Sequence, residues 1–240
     1  MREERRTKII EQALASGRSL LTPQECVELL SLYGIPLPPS LLAKTSSEAT
    51  EMAAKLGFPV VLKIASDDIV HKSDVGGVRV GINSKEELEM VYAEIMASVK
   101  KNCPGARIEG VLVQPMIKGV QEVIVGIKRD PSFGPVVLLG LGGVWVELLR
   151  DVSLRICPVA RDDVLEMLKE LKGYPLLNGY RGSKPVDLEA LIDLTLKVSQ
   201  LALDLPALSE MDLNPVMLQE QGKGCIAVDY RMIITKPEVD

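Results

Sequence analysis

The sequence predicts an α+β protein built from two halves, each with its own helices and strands. Segments with apolar residues at helical spacing alternate with short runs rich in β-branched residues. Beyond residue 107 the strand-like runs become frequent, which places the predicted boundary between the halves near 104–110. Only 3% of the residues are aromatic, so the cores are expected to be aliphatic.

The first half is predicted to begin with helices. The segments 3–17, 22–34 and 47–55 have helical composition, and the last two each end at or beside a glycine. The second segment starts with Thr22 as N-cap and Glu25 three residues later, which is the pattern of a capping box.

Strands and one further helix complete the first half, and the second half adds a longer series. Apolar, β-branched runs predict strands at 59–65 and 78–82, and a capping box at 84–87 opens a helix. In the second half, the predicted elements are strands at 107–116, 121–128, 135–140 and 143–148, helices at 161–172 and 187–203, and strands at 210–218 and 225–234.

Charge and cysteine content exclude several classes of protein. The net charge is −5 and no long basic block occurs, which argues against nucleic acid and anionic membranes as main partners. No apolar run reaches the roughly 20 residues that a transmembrane helix needs, and the charged N-terminus lacks the apolar core of a signal peptide. The cysteines form no C-x-x-C pair and indicate reduced thiols. We therefore expect a cytoplasmic protein.

Acidic and amide side chains recur in the predicted closing hairpin. Strand alternation places Glu210, Asp212 and Asn214 on one face. If the connecting loop closes symmetrically, Asn214 lies opposite Asp229, and Asp212 lies opposite Arg231. Two carboxylates and an amide oxygen are ligands that Mg²⁺ accepts. The alternative interpretation is the solvated outer face of an edge hairpin.

Two basic side chains in the first half have a functional and a neutral interpretation. Lys63 interrupts an apolar strand, where an anionic partner such as a phosphate would offset the cost of burial, although a lysine can also extend from a strand end to solvent. His71 is the only histidine and lies in a polar loop that ends in two glycines. It could act as a nucleophile or proton carrier, or be a surface residue without a role.

The glycine-rich segment 140–143 does not match the known nucleotide-binding loops. Trp145 occupies the last position of a G-x-G-x-x-G pattern, and no G-x-x-x-x-G-K-[ST] occurs in the chain. A Rossmann site and a P-loop are therefore disfavoured. The glycines could bring the backbone close to a phosphate or form a tight turn, and the sequence leaves both interpretations open.

As a set, several motifs resemble the ATP-grasp domain of ADP-forming acyl-CoA synthetases, in particular the β subunit of the acetate–CoA ligase type. They occur in the family's order and cover about residues 55–235. The matching segments are Gly57–Ile64, His71–Gly77, Phe133–Val137, Gly140–Gly143 with Arg150-Asp151, Leu177–Gly182, Met211–Pro215 and Val228–Arg231.

The resemblance implies an ATP-grasp fold, with two α+β subdomains that close on a nucleotide. The expected division is an N-terminal helical segment at 1–20, a first subdomain at 21–106 that carries a phosphohistidine loop at 66–77, and a second subdomain at 107–240. A CoA-binding α subunit, in an α2β2 assembly, is the implied partner.

The resemblance also implies roles for individual residues. His71 would relay a phosphoryl group between a histidine of the α subunit and ADP. Lys63 would hold nucleotide phosphate, and Mg²⁺ with ATP or ADP would be bound. The remaining implied residues are Gln114 and Met116 at the adenine hinge, Glu122 near the ribose and phosphates, Asp212, Asn214 and Asp229 as metal ligands, and Arg231 beside them.

Three functions remain open at this point. The favoured one is the phosphoryl-transferring subunit of an acyl-CoA synthetase that converts acyl-CoA, ADP and phosphate to acid, CoA and ATP. A self-contained carboxylate–amine ligase that uses an acyl phosphate would not need His71. A nucleotide-sensing regulatory subunit would bind ATP without catalysing a reaction.

Overall fold

The α+β class is confirmed by the computed structural model, in which the chain forms two compact units. The larger unit combines Met1–Leu37 with Lys118–Asp240, and the smaller one is Pro38–Ile117. The described residues are 2–66, 68–69, 72–143, 149–182 and 184–236, without the side chain of Arg181.

The smaller unit is an antiparallel sheet with the order β1-β4-β2-β3 and two helices on one face. Its core joins alternate strand residues, such as Leu62 and Ile64 of β2, to apolar residues of both helices. The elements are β1 Leu41–Ala43, α3 Ser46–Leu56, β2 Val60–Ala65, β3 Val78–Ile82, α4 Lys85–Asn102 and β4 Gly110–Pro115.

The larger unit is an antiparallel sheet with the order β10-β8-β5-β6-β7, and β9 pairs with β8 beside β10. Helices pack on its inner face around an aliphatic core. The elements are α1 Arg2–Ala15, α2 Pro23–Leu32, β5 Gln121–Asp130, β6 Gly134–Leu141, β7 Val152–Ile156, α5 Arg161–Glu170, α6 Tyr174–Leu177, α7 Leu188–Asp204, β8 Leu208–Leu218, β9 Cys225–Ala227 and β10 Tyr230–Ile234.

The N-terminal helices belong to the larger unit, which differs from the predicted division at 20/21. Ile9 and Ile10 of α1 are buried in the same core as the second half of the chain. The N–H of Leu21 donates to the carbonyl of Met232, which extends the contact with β10. Because this burial joins segments far apart in sequence, local patterns do not reveal it.

Strand β4 belongs to the smaller unit, so the division also differs from the predicted boundary at 106/107. Its residues pair with β2 from Val60↔Pro115 to Ala65↔Gly110, and with β1 on the other side. The pairing makes β4 an interior strand of the smaller sheet, and the chain crosses to the larger unit only after it.

Two strands were not predicted. β1 has only three residues, and β7 pairs with β6 from Val136↔Ile156 to Gly140↔Val152. The predicted strand at 143–148 falls almost entirely on 144–148, which lie outside the described residues. No helix in the described part of the chain is long and apolar enough to cross a membrane.

Candidate functional site

The closing hairpin has the register that the symmetric loop predicted. Arg231 pairs with Asp212, and Tyr230 pairs with Leu213. The N–H of Asn214 donates to the carbonyl oxygen of Asp229 at 3.2 Å. Residues directly opposite each other in an antiparallel pair point to the same side, so the acids, the amide and the arginine share one face.

That face is the outer one of the larger sheet. Leu213 and Val216 of β8 are fully buried in the core on the inner face, whereas Asn214 is exposed. On the side of β5, the residue opposite Asp212 is Gly126. Because Gly126 has no side chain, no β5 side chain lies directly opposite Asp212 on this face.

A β-bulge lies at Asn214-Pro215 in the middle of the sheet. Val123 of β5 pairs with Val216, and Val125 pairs with Leu213, so two residues of β8 face one residue of β5. Proline has no N–H to donate to the neighbouring strand and is tolerated inside a sheet at such a bulge. Bulges also redirect side chains, and this one determines where Asn214 points.

The charges around Asp212 oppose its ionisation. Burial raises the pKa of the Asp212 carboxyl; the guanidinium of Arg231 acts in the opposite direction, while the carboxylates of Glu210 and Asp229 raise the pKa further. Arg231 is engaged with Glu210, whose carboxylate it contacts at 2.6 Å. The ionised carboxylate therefore lies in a partly desolvated position with negative neighbours.

Without divalent metal, Asp212→Asn is expected to stabilise the fold at neutral pH. Because the folded-state pKa of Asp212 is raised, the unfolded chain loses this proton first, and stability falls as pH rises from the ordinary pKa through the folded one. Asn has no proton to lose in this range. The free energy of unfolding of the variant therefore exceeds that of the wild type by an amount that grows between about pH 4 and pH 7. Urea unfolding with a chelator measures the difference.

Glu220→Gln is the matched control with the opposite sign. Lys184 and Lys223 bond Glu220 and lower its pKa to about 2. Its ionised form therefore stabilises the fold above the ordinary carboxyl pKa, and this contribution is lost as pH falls toward about 2. A decrease in neutral-pH stability for Asp212→Asn in the presence of chelator would contradict the electrostatic assignment.

The hairpin donors fit Mg²⁺. Among the residues that the structure describes, no three Asp, Glu, Cys or His side chains gather into a metal site. Magnesium, however, is commonly held by only one or two carboxylates, with water and substrate phosphate completing its octahedron. Asp212 and Asp229 would supply the carboxylates and Asn214 an amide oxygen, and a bound cation would offset the raised pKa of Asp212.

Two of the three candidate nucleotide residues of the smaller unit share one face of its sheet. Lys63 pairs with Leu112, and Val61 pairs with Gln114, so Lys63 and Gln114 lie on the face opposite the helices. Met116 follows β4, and its N–H donates to the carbonyl of Pro59 at 2.9 Å. Lys63 is only 8% exposed, which disagrees with a lysine that extends to solvent from a strand end.

Glu122 lies on the outer face of the larger sheet, in contact with the glycine-rich segment. Its strand neighbour on β8 is Met217, and its side chain is exposed. Its carbonyl accepts the N–H of Gly142 at 2.8 Å. A Cβ on Gly142 would lie 3.0 Å from Glu122, so this glycine permits close approach of two protein segments.

His71 lies outside the described residues, but the segments flanking it are defined. Ile69 is buried in the core of the smaller unit. The carboxylate of Asp68 accepts the N–H of Arg107 at 2.7 Å. On the other side, the carbonyl of Val75 accepts a hydrogen bond from Ser98 of α4 at 2.9 Å. The described residues on both sides of His71 are therefore held to the smaller unit by burial and hydrogen bonds.

Sequence reasoning missed the residues that act by packing. Gly126 and Gly142 occupy positions that are informative only once the neighbouring strand is known. Asp151 was noted only as part of a motif, but its side chain is buried and accepts two backbone N–H groups. The available signal was a lone acid at the start of an apolar strand, which by itself indicates no role.

Comparison with known proteins places these features in context. The ATP-grasp domain model matches residues 12–234. The chain is 47% identical over 227 residues to the β subunit of ADP-forming acetate–CoA ligase I from Pyrococcus furiosus, covering 95% of this chain and 97% of the relative. It is 48% identical over 231 residues to acetate–CoA ligase (ADP-forming) I from Archaeoglobus fulgidus, covering 96% of this chain but 33% of that longer protein.

Solved structures of an acetyl-coenzyme A synthetase from Korarchaeum cryptofilum share the fold. One, in complex with coenzyme A and Ca-AMPCP, has a TM-score of 0.90 at 46% identity and covers 95% of this chain and 99% of that one. In a second, the phosphohistidine segment is phosphorylated and in a site I orientation. In a third, with Mg-AMPPCP, the segment points towards the nucleotide-binding site.

Proposed function

This chain belongs to the ATP-grasp family, and we propose that it is the nucleotide-binding, phosphoryl-transferring subunit of an ADP-forming acetate–CoA ligase. The observation that carries the proposal is the 47% identity to the P. furiosus β subunit across almost the whole of both chains. The reaction is acyl-CoA with ADP and phosphate giving acid, CoA and ATP, and it is reversible.

The smaller unit supplies groups for the nucleotide. Lys63 would neutralise phosphate oxygens. Gln114 and Met116, at the end of β4, would contact the edge of the adenine base. Lys63 and Gln114 share one face of β2 and β4, which supports this assignment. A buried lysine is stabilised by an anionic partner, and phosphate is one.

The outer face of the larger sheet carries a second set of proposed ligand groups. Asp212, Asn214 and Asp229 would hold Mg²⁺, which when bound neutralises charge on the transferring phosphoryl group. Arg231 adds a fixed positive charge beside them, and Glu122 lies at the ribose and phosphates. In phosphoryl transfer such groups act mainly by positioning and by electrostatic stabilisation.

His71 carries the phosphoryl group. One imidazole nitrogen attacks the phosphorus of a phosphohistidine on the partner subunit, so that a new N–P bond forms while the partner's N–P bond breaks. A β-phosphate oxygen of ADP then attacks, the N–P bond of His71 breaks and ATP is released. The two orientations of the phosphohistidine segment in the Korarchaeum protein support this relay.

A CoA-binding α subunit is the proposed partner. The P. furiosus relative is named as a β subunit, and this chain spans 33% of the length of the A. fulgidus relative. The acyl-CoA chemistry is therefore assigned to a second chain, in an α2β2 assembly. We place the complex in the cytoplasm.

The deciding experiment is ATP synthesis by the complex. The tagged chain is purified from its source cells together with any bound partner, and ATP is measured with luciferase after acetyl-CoA, ADP, phosphate and Mg²⁺ are added. We expect ATP only when all four are present. ATP consumption with an amine acceptor and no CoA would indicate a carboxylate–amine ligase. Nucleotide binding without turnover by a partner complex would indicate a sensing subunit.

A further inference from the structure

Asp151 is a buried carboxylate that joins two parts of the larger unit. It is 4% exposed, and its two oxygens accept the N–H groups of Lys172 at 2.8 Å and Gly173 at 2.9 Å. Hydrogen bonds from backbone N–H groups to a carboxylate are charge-assisted and stronger than neutral ones. The side chain therefore fixes the segment before α6 against the start of β7.

The segment that Asp151 fixes is packed on Leu141 at the end of β6. A Cβ on Gly173 would lie 1.9 Å from Cδ1 of Leu141, so any larger residue at this position would displace the Leu141 side chain. The N–H of Leu141 also donates to the carbonyl oxygen of Asp151 at 3.2 Å. Leu141 is thus held by the backbone of Asp151 and, through Gly173, by its side chain.

Gly142, the residue that follows Leu141, contacts Glu122 directly. The N–H of Gly142 donates to the carbonyl of Glu122 at 2.8 Å, and a Cβ on Gly142 would lie 3.0 Å from both Cβ and the carbonyl carbon of Glu122. The contacts therefore run without a gap from Asp151 through Leu141 and Gly142 to Glu122.

We infer that Asp151 is a positioning residue of the nucleotide site, which holds the glycine-rich segment 140–143 against Glu122. The inference rests on the proposed function, in which Glu122 lies beside the nucleotide. When the carboxylate is lost, segments 140–143 and 172–173 separate and Glu122 loses its support. A displacement of about 1 Å in a positioning group can cost about 10²-fold in function.

The test is the affinity of the purified full chain for Mg-ADP, measured by calorimetry. Asp151→Asn keeps the shape of the side chain but replaces one acceptor oxygen with an amide NH2 group, which faces one of the two N–H donors. We expect Kd for Mg-ADP to rise at least about 10-fold, the lower end of what losing a supporting hydrogen bond costs at such sites. Thermal unfolding of the same sample reports the accompanying loss of stability.

Glu25→Gln is the control for a purely structural effect. The Glu25 carboxylate accepts the N–H of Thr22 at 2.8 Å and pairs with Arg18, at the start of α2. This variant is expected to lose stability while Kd for Mg-ADP stays unchanged. Equal destabilisation of both variants with wild-type nucleotide affinity in both would overturn the inference.

A second pair of variants tests the other end of the contact. Gly142→Ala adds a Cβ that moves segment 140–143 away from Glu122 and leaves the Asp151 side chain unchanged. It is expected to weaken Mg-ADP binding to a similar extent. Gly105→Ala has nothing within 4 Å of its new Cβ and is expected to be neutral.

If Asp151→Asn does not fold, Gly142→Ala decides the question. A wild-type chain that binds no nucleotide refutes the proposed function as well, whereas unaffected variants of a binding chain refute this inference alone.

Discussion

His71→Asn is expected to remove all acid-labile, base-stable phosphate from the chain after incubation with γ-phosphate-labelled ATP and Mg²⁺. His71 is the only histidine among the 240 residues, so a phosphohistidine on this chain has one location. Asparagine retains a polar side chain of similar reach but has no nucleophilic ring nitrogen. ATP synthesis by the complex should fall at least about 10³-fold, as it does when a nucleophile is removed from other enzymes.

Ser73→Ala is the matched control in the same loop. Ser73 is exposed two residues after His71, and phosphate on its hydroxyl would be an acid-stable ester. The variant should therefore retain the acid-labile label. Full ATP synthesis by His71→Asn would eliminate the relay and would favour the carboxylate–amine ligase, which has no use for this residue. Mg-ATP affinity should be unchanged in both variants, since the proposed nucleotide contacts lie elsewhere.

The sequence predicted the hairpin register because two local rules agreed there. Strand alternation assigned Asp212 and Asn214 to one face, and the turn fixed their partners. In the structure the N–H of Gln219 donates to the carbonyl of Gly224 and closes that turn symmetrically. A period of two residues and a closed turn leave only one register that buries Leu213, so spacing alone was sufficient.

The unit boundaries could not be derived in the same way. Strand β4 follows α4 directly, and its apolar pattern resembles that of β5. What assigns β4 to the smaller sheet is its pairing with β2, about fifty residues earlier in the chain. Backbone pairing between distant strands leaves no local signature, and the same is true of the burial of Ile9 beneath the larger sheet.

Asp151 shows the corresponding limit for the candidate site. Its partners are backbone N–H groups at 172 and 173, and any residue except proline offers such a donor. The residue types at 172 and 173 therefore do not reveal their contact with Asp151. Gly173 is informative only once Leu141 is known to lie against it. Residues with ionisable or nucleophilic groups, such as Lys63 and His71, can be proposed from sequence, whereas residues that support them need coordinates.

Asp229→Asn and Asn214→Ala are expected to abolish the strengthening of ADP binding by Mg²⁺. A bound metal contributes several kcal/mol to holding charged phosphate oxygens, so Kd for ADP in saturating Mg²⁺ should rise about 10²-fold. With a chelator, wild type and variants should bind ADP equally weakly, because only the metal-dependent part is lost. Calorimetric titrations with and without Mg²⁺ give both values, and Mn²⁺ paramagnetic resonance measures metal binding directly.

Glu220→Gln separates a metal site from the general negative charge of the hairpin. Glu220 lies in the turn of the same hairpin and is paired with Lys184 and Lys223. It stands six residues from Asn214, roughly 20 Å along an extended strand. Its replacement changes the net charge as Asp229→Asn does, yet Mg²⁺ should strengthen ADP binding as in wild type.

The outcome also decides between the two interpretations of the acidic face. If Asp212, Asn214 and Asp229 are only a solvated surface, their replacement changes ADP affinity no more than that of Glu220. The raised pKa of Asp212 argues against that interpretation, because a solvated surface carboxylate would not be held beside Glu210 and Asp229 in a partly desolvated position. Such an arrangement destabilises the empty fold and would be relieved by a bound cation, so Asp212→Asn should gain stability and lose Mg²⁺ dependence together.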